Sequence, residues 1–297
     1  MTAPTALRTA SPYAADAAPT RYVTVGDASI AYRALGPASP VPLVLSMRLR
    51  GTMDEWDPAF LDALSARRRV YIFDSAGVGL SSGVAPDAIS AMAGIAIAFI
   101  EAMELGQVDL LGWSMGGYIA TSVAFQAPAL VRRLIVAGSG PGGVPGAPPP
   151  PPAKVGEIAR HAVNDDEDFL YLFYPQTPAG RTAGQAQLAR LGQRAEPPAP
   201  KVSPEAAKAM ITAISAFRGP DALYPRLGQL TLPIFYANGV DDVMVDAFNS
   251  YAAVRKAPDA RLKLFPAAGH GFLFQYAVEF AEDVDRFLND AGGGASA

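Results

Sequence analysis

Apolar and polar positions follow two different periods along this chain. Two short segments with a two-residue period, Tyr22 to Val25 and Ile30 to Leu35, flank Gly26-Asp27 and predict an antiparallel hairpin. Downstream, short apolar runs alternate with stretches in which apolar residues recur at helical spacing. This alternation is typical of parallel strands connected by helices. We therefore predict an α/β fold in which a mostly parallel central sheet carries helices on both faces.

The apolar runs and the helical stretches can be placed along the chain. The predicted buried strands are Pro42 to Ser46, Val70 to Asp74, Val108 to Gly112, Leu134 to Gly138, Pro233 to Asn238 and Leu262 to Phe265. The predicted helices between several of them are Ala59 to Arg67, Ile89 to Leu105 and Tyr118 to Gln126.

The stretch from Gly142 to Leu227 lacks strand-like alternation and predicts a separate helical unit. It opens with glycines and five consecutive prolines, Pro148 to Pro152, which favour an extended linker. The helix-like stretches that follow are Lys154 to Val163, Asp166 to Phe173, Ala183 to Gln193 and Pro204 to Phe217. We interpret residues 142–227 as a helical cap inserted into a core of residues 20–141 and 228–290. The prolines suit the hinge of a lid, and a merely structural insertion is the alternative.

The chain ends and the net charge limit where the protein can act and which partners it can bind. Residues 1–19 are rich in Ala, Thr and Pro without a continuous apolar segment, so we predict a disordered tail there and a flexible C-terminus over residues 291–297. The longest apolar run, Ala91 to Ile100, is too short to span a bilayer. A net charge of −4 argues against nucleic acid or an anionic membrane as partner. We expect a cytoplasmic protein that acts on a small molecule; the sequence does not indicate its oligomeric state.

Two residue types limit the chemistry that the chain can perform. It contains no cysteine, which excludes disulfides, a thiol nucleophile and thiolate metal sites. Its two histidines, His161 and His270, argue against a histidine-rich metal site. We interpret His161, which lies in a polar part of the cap, as a solvated helix residue. Both counts argue against a metal site, and we expect chemistry that needs no metal and no organic cofactor.

The segment Gly112-Trp113-Ser114-Met115-Gly116 carries the strongest chemical signal. It follows an apolar run and opens a helical stretch, so its serine can lie on a sharp strand-to-helix turn with the side chain directed into a pocket. Hydrolysis by a serine needs a base that accepts the hydroxyl proton and an acid that orients this base. Carboxylates at Asp241 and Asp242 follow one predicted strand, and His270 lies between glycines beyond the last one.

The order Ser, Asp, His at strand ends resembles the α/β-hydrolase fold family, in its lid-bearing branch, from about Tyr22 to Leu288. The segments that carry the resemblance are Phe73-Asp74-Ser75-Ala76-Gly77-Val78-Gly79-Leu80-Ser81, Gly112 to Gly116, Gly239-x-x-Asp242 and Gly269-His270-Gly271. The resemblance implies Ser114 as nucleophile, Asp242 as acid and His270 as base. Asp241 is the less favoured acid, because the family pattern places the aspartate three residues after the glycine.

The loop after the first parallel strand departs from the family pattern. Most members have His-Gly there, whereas this chain has Ser46-Met47-Arg48-Leu49-Arg50-Gly51, followed by Trp56. Alignment through Trp56 implies the backbone amides of Leu49 and Met115 as the oxyanion hole. For Arg48 and Arg50 we consider recognition of a substrate carboxylate, or ion pairing with the nearby acids Asp54, Glu55 and Asp57.

We predict an apolar pocket formed in part by Trp113, Phe173 and Phe272; the cap aromatics could instead only attach the cap to the core. The resemblance implies hydrolysis of a small, largely apolar carboxylic ester or lactone through an acyl-enzyme intermediate. The alternatives are a cofactor-free perhydrolase of haloperoxidase type, a carbon–carbon bond hydrolase or a lyase with the same triad. A ligand receptor that keeps the triad without turnover is a further alternative.

Overall fold

A single eight-stranded sheet forms the centre of the protein in the computed structural model, which describes residues 11–148, 151–161, 163–194 and 196–290. The strands are β1 (Arg21–Val25), β2 (Ala28–Leu35), β3 (Leu43–Ser46), β4 (Val70–Phe73), β5 (Val108–Trp113), β6 (Val131–Ala137), β7 (Ile234–Gly239) and β8 (Ala260–Phe265). Their order in the sheet is β1-β2-β4-β3-β5-β6-β7-β8. The pairs β1–β2 and β2–β4 are antiparallel and the others parallel, which confirms the predicted hairpin and the mostly parallel sheet.

Helices cover both faces of this sheet. The helices of the core are α1 (Pro58–Ser65), α2 (Ile89–Ala102), α3 (Met115–Gln126), α8 (Phe248–Lys256), α9 (Phe272–Gln275) and α10 (Ala277–Asn289). Successive strand residues alternate between two apolar clusters: Leu111 and Trp113 of β5 pack on one side, and Leu110 packs on the other. Strands buried on both faces explain why the predicted strands appear as continuous apolar runs.

The segment between β6 and β7 contains helices, and we refer to it as the cap; its separation from the core and its role as a lid stay predictions. Its helices are α4 (Ala153–Ile158), α5 (Asp166–Phe173), α6 (Pro178–Leu191) and α7 (Pro204–Arg218). Helix α6 begins five residues earlier than predicted, because Thr177 caps the amide of Gly180 and Pro178 occupies the first turn. Helix α4 ends at Ile158, so His161 lies outside it, contrary to our prediction. The predicted proline linker falls partly on residues 149–150, outside the described residues.

An ion pair attaches the cap to the core. Arg190 of α6 donates from Nε to both carboxylate oxygens of Asp57, at 3.0 Å each. Asp57 is fully buried and also caps α1, where its side chain accepts a hydrogen bond from the amide of Ala59. Because a buried charge without a partner is strongly destabilising, this pair holds α6 in place on α1.

The prediction of a disordered N-terminal tail is wrong for residues 11–19. The amides of Ala14 and Ala15 donate to the carboxylate of Asp62, and Arg194 of the cap donates to the carbonyls of Asp16 and Ala18, at 2.8 Å each. Backbone groups and two small buried alanines make these contacts, and neither produces an apolar pattern in the sequence. Residues 1–10 and 291–297 lie outside the described part of the chain. Among the described helices, none has the length and hydropathy needed to cross a membrane.

Candidate active site

Ser114 lies at the junction of β5 and α3 in a strained backbone conformation. Its φ of 57° and ψ of −122° place a non-glycine residue in a region that normally favours glycine. The neighbouring glycines are required by close packing: a Cβ at Gly112 would collide with the carbonyl oxygen of Gly116, and a Cβ at Gly116 with the carbonyl oxygen of Ser46. The Gly-x-Ser-x-Gly pattern is thus explained by the space around a tight strand-to-helix turn.

Buried hydrogen bonds from β6 and the loop after it stabilise this turn. The amide of Ser114 donates to the carbonyl of Ala137 at 2.9 Å, and the hydroxyl of Ser139 donates to the carbonyl of Ser114 at 2.7 Å. Ser250 of α8 in turn donates to the carbonyl of Ser139 at 3.1 Å. Sequence reasoning missed Ser139 and Ser250; the available signal was a serine directly after a buried strand.

The structure brings Asp242 and His270 together, although they are separated by 28 residues in the chain. The Nδ1 atom of His270 lies 2.7 Å from Oδ2 of Asp242, and both side chains are fully buried. The other carboxylate oxygen of Asp242 accepts hydrogen bonds from the amides of Met244, at 2.8 Å, and Val245, at 2.9 Å. These donors hold the carboxylate in one orientation, so it can hold the imidazole in one tautomer.

The loop after β7 determines which of the two neighbouring aspartates meets the histidine. The side chain of Asn238, at the end of β7, donates a hydrogen bond from Nδ2 to the carbonyl of Val245 and accepts one at Oδ1 from the amide of Gly239, at 2.9 Å each. These bonds close the loop so that Asp242 is directed inwards, whereas Asp241 is exposed to solvent. Asn238 is a third residue that sequence reasoning missed; its signal is an asparagine at the end of a buried strand.

The imidazole of His270 is enclosed by groups from three parts of the chain. Its ring lies 5.7 Å from that of Trp113, whose Nε1 donates to the carbonyl of His270 at 3.0 Å. The ring of Phe173, at the end of α5, lies 5.8 Å away on the cap side. Gly138 leaves space for the ring, because a Cβ there would lie 3.2 Å from Nδ1. The Nε2 atom is buried and has no hydrogen-bond partner in the described part of the chain, which leaves it available to a substrate or to a nearby hydroxyl.

The loop after β3 lies beside the Ser114 turn, as the contact of Gly116 with Ser46 shows. The amide of Gly51 donates to the carbonyl of Arg48 at 3.2 Å, which closes a tight turn with Leu49 and Arg50 at its centre. Met115 is the first residue of α3, so its amide has no acceptor within the helix. The two amides implied for the oxyanion hole therefore belong to adjacent backbone segments, and their role stays a prediction.

The two arginines of this loop make different contacts. Arg48 forms an ion pair with Glu55, one of the acids considered from the sequence. Its guanidinium carbon also lies 5.5 Å from the ring centre of Trp113 and 4.9 Å from that of Phe173, so it is part of the site wall. Arg50 donates to the carbonyl of His161 in the cap at 3.1 Å. Asp54 pairs with Arg33, and Asp57 with Arg190.

The three aromatic residues predicted for substrate binding occupy different positions. Trp113 and Phe173 contact each other at 5.5 Å and both contact His270. Phe272 is fully buried, with its ring 5.1 Å from Phe265 and 5.3 Å from Phe280. Phe272 is the first residue of α9, and its side chain packs in the aromatic core formed with Phe265 of β8 and Phe280 of α10.

A small cavity of about 30 Å³ adjoins the Ser114 turn. Its apolar wall contains Met115 and Ile119 of α3, Met92 of α2, Met47 of the β3 loop and Met210 of the cap. This volume holds about two water molecules, so the cavity admits only a small group without rearrangement. Methionine side chains are flexible, which allows the wall to adapt.

Asp74, at the end of β4, is a buried carboxyl group in the wall of this cavity. Burial raises the pKa of Asp74 to about 6, against the opposing effect of the amides of Leu80 and Met53, which donate to it at 2.9 and 2.7 Å. The folded protein therefore holds this proton more tightly than the unfolded chain, in which the pKa is 3.8.

This difference in proton affinity predicts a pH-dependent stability. Between pH 3.8 and about 6 the unfolded state binds fewer protons at Asp74, so the free energy of unfolding falls as the pH rises. Relative to Asp74→Asn, the wild type is expected to lose about 3 kcal/mol from pH 3.5 to pH 7. Urea unfolding of both proteins across this range measures the effect. A difference between the two proteins that stays constant with pH would contradict it.

Fold and site together define a hydrolase-like α/β protein, and comparison with known families agrees. The family model described as alpha/beta hydrolase fold matches residues 49–277. The chain belongs to the α/β-hydrolase fold family.

Individual relatives indicate the class of reaction that members similar to this chain are named for. The chain is 28% identical to a pimeloyl-[acyl-carrier protein] methyl ester esterase of Nitrosomonas europaea, over 77% of this chain and 88% of that protein. It is 27% identical to a protein of Variovorax paradoxus provisionally named carbamate hydrolase RutD, over 86% and 95%. An alpha/beta hydrolase fold protein from Chitinophaga pinensis superposes with a TM-score of 0.85 at 35% identity, covering 92% of this chain and 98% of its own. These relatives support a hydrolase.

Proposed function

We propose that this protein is a serine hydrolase that cleaves a small, largely apolar carboxylic ester or lactone through an acyl-enzyme intermediate. The observation that carries the proposal is the fully buried pair of Asp242 and His270 beside the strained turn of Ser114; the Nε2 atom of His270 has no hydrogen-bond partner among the described residues. A positioned base next to a serine on such a turn is the arrangement that activates a hydroxyl nucleophile. The esterase name of the Nitrosomonas europaea relative agrees with ester hydrolysis.

The chemistry follows from the roles of these three residues. The hydroxyl oxygen of Ser114 attacks the ester carbonyl while Nε2 of His270 accepts its proton, and Asp242 stabilises the imidazolium. The amides of Leu49 and Met115 hold the resulting oxyanion. The imidazolium then protonates the departing alkoxide, and a water molecule activated by the same base releases the acid. A lactone gives a hydroxy acid by the same steps.

Substrate entry requires movement of the cap in this proposal. His270 is fully buried, and the carbonyl of Phe173 accepts the amide of Gly271 at 2.7 Å, so the end of α5 is bonded directly to the histidine loop. Helix α6 is held on the core by Arg190 and Asp57. Entry of a substrate therefore requires that the bond between Phe173 and Gly271 opens.

A fluorophosphonate probe tests the proposal directly. We expect covalent labelling at Ser114, mapped by mass spectrometry of the digested protein, together with turnover of short-chain p-nitrophenyl esters. Stoichiometric ligand uptake without ester turnover would support a receptor instead, and peroxide-dependent halogenation without hydrolysis would support a perhydrolase. Labelling at any other serine would overturn the assignment of the nucleophile.

The small cavity beside Met115 supports a short acyl group. We expect kcat/KM for p-nitrophenyl acetate to exceed that for the hexanoate, because longer chains must displace the methionine wall. Met210→Ala should raise the hexanoate-to-acetate ratio about ten-fold, since each newly accommodated methylene contributes about 0.8 kcal/mol. Ile211→Ala, at a solvent-exposed position of the same helix, serves as the matched control. An equal ratio in both variants would assign the acyl group to another part of the site.

A further inference from the structure

The guanidinium group of Arg48 touches three parts of the proposed site at once. One of its terminal nitrogens donates to the carbonyl oxygen of Leu49 at 2.8 Å, and the other forms the ion pair with Glu55. Its carbon lies over the rings of Trp113, next to the nucleophile, and Phe173, in the cap. It thus connects the β3 loop, the serine turn and helix α5.

These contacts argue against direct binding of a substrate carboxylate by Arg48. Its charge is neutralised by Glu55, and only 13% of its side chain is exposed. A substrate anion would have to displace Glu55 from a partly buried ion pair, which would leave that carboxylate without a partner. The contacts therefore favour a role within the protein.

The backbone that Arg48 supports is strained. Arg50 has a φ of 56°, in the left-handed region that costs a residue with a Cβ about 1–2 kcal/mol, and the turn is closed by the Gly51 amide on the Arg48 carbonyl. The hydrogen bond from the guanidinium to the Leu49 carbonyl fixes the peptide that joins Leu49 to Arg50. Because that peptide adjoins the one bearing the Leu49 amide, its orientation limits where the amide can point.

We propose that Arg48 is a positioning residue that holds the Leu49 amide in the orientation needed for the oxyanion hole, in place of the His-Gly pair of other family members. This inference rests on the proposed function. Glu55 holds the guanidinium through the ion pair, and the rings of Trp113 and Phe173, which contact each other, both lie within 5.5 Å of the guanidinium carbon. Since Phe173 also contacts His270, the amide donor and the base are aligned through one shared cap residue.

Steady-state kinetics of Arg48→Met with a p-nitrophenyl ester test this role. Methionine keeps a chain that can pack on both rings but loses the bonds to Leu49 and Glu55. We expect kcat to fall about 30-fold with KM changed less than about three-fold, because the oxyanion donor acts mainly in the transition state. Arg48→Lys should recover part of kcat. The affinity for a boronic acid, which forms a tetrahedral adduct, should fall with kcat/KM.

Two further variants separate this role from a structural one. Arg67→Met removes the charge of an exposed arginine outside this turn and should change kcat by less than about two-fold. Glu55→Gln keeps Arg48 but weakens its hold, and should lower kcat in the same direction even if Arg48→Met does not fold in a thermal unfolding assay. A raised KM with unchanged kcat in Arg48→Met, or an unchanged kcat in both Arg48→Met and Glu55→Gln, would overturn the inference. Absence of ester turnover in the wild type would instead refute the proposed function.

Discussion

Replacing Ser114 with alanine is expected to lower kcat for a short-chain p-nitrophenyl ester by about 10⁴-fold or more. The substitution removes the only hydroxyl in the proposed triad, and no acyl-enzyme can form without it. Alanine accepts the φ of 57° no worse than serine does, and the bonds from Ser139 and to Ala137 involve only backbone atoms of residue 114. The fold should therefore survive, and the loss should appear in the rate alone.

The measurement compares initial rates and melting temperatures of the wild type, Ser114→Ala and Ser215→Ala. Ser215 is exposed on cap helix α7 and donates only to a backbone carbonyl of its own helix, so its removal should leave the rate within about two-fold. Turnover in Ser114→Ala near the wild-type level, after removal of contaminating esterases, would eliminate the serine mechanism.

Replacing His270 with glutamine is expected to lower kcat by a similar factor, and the double variant with Ser114→Ala should lose no more than either single variant. Nucleophile and base act as one unit, so removing the second member costs little once the first is absent. Glutamine can still donate to the carboxylate of Asp242, which keeps its bonds from Met244 and Val245. The buried charge therefore keeps partners and the protein should fold.

His161→Gln provides the matched control for this histidine. Its side chain is 49% exposed and pairs with Asp168 in the cap, away from Ser114. We expect unchanged kcat in this variant. Losses that multiply in the Ser114→Ala, His270→Gln double variant would show that the two residues act independently, which contradicts a shared proton transfer.

Much of the fold was predictable because it depends on short-range periodicity. The hairpin at Gly26-Asp27, the buried strands and the helical cap all follow from the spacing of apolar residues within about ten positions. Errors occur where single hydrogen bonds decide the structure. At the start of α6 the side chain of Thr177 caps the helix. In residues 11–19 the stabilising partners, Asp62 and Arg194, lie far away in the chain.

The candidate site was predictable in outline only. Gly112 is required by a collision within the motif, with the carbonyl oxygen of Gly116, whereas Gly116 is required by the carbonyl oxygen of Ser46 at the end of β3. The family resemblance favoured Asp242 over Asp241, but apolar spacing alone does not distinguish them, and it does not predict that Phe272 packs on Phe265 and Phe280. These outcomes depend on the direction of a side chain after a loop has closed.

The sequence by itself determined the alternation of strands and helices, the inserted helical segment and the tight turn at Ser114, because each depends on neighbours along the chain. The tertiary structure shows that Asp242 meets His270, and it alone decided that Arg48 pairs with Glu55 beside two aromatic rings and that the carbonyls of Asp16 and Ala18 bind Arg194. The reason is physical: burial and charge pairing are settled between segments that the chain connects over long distances, and spacing within a segment does not specify them.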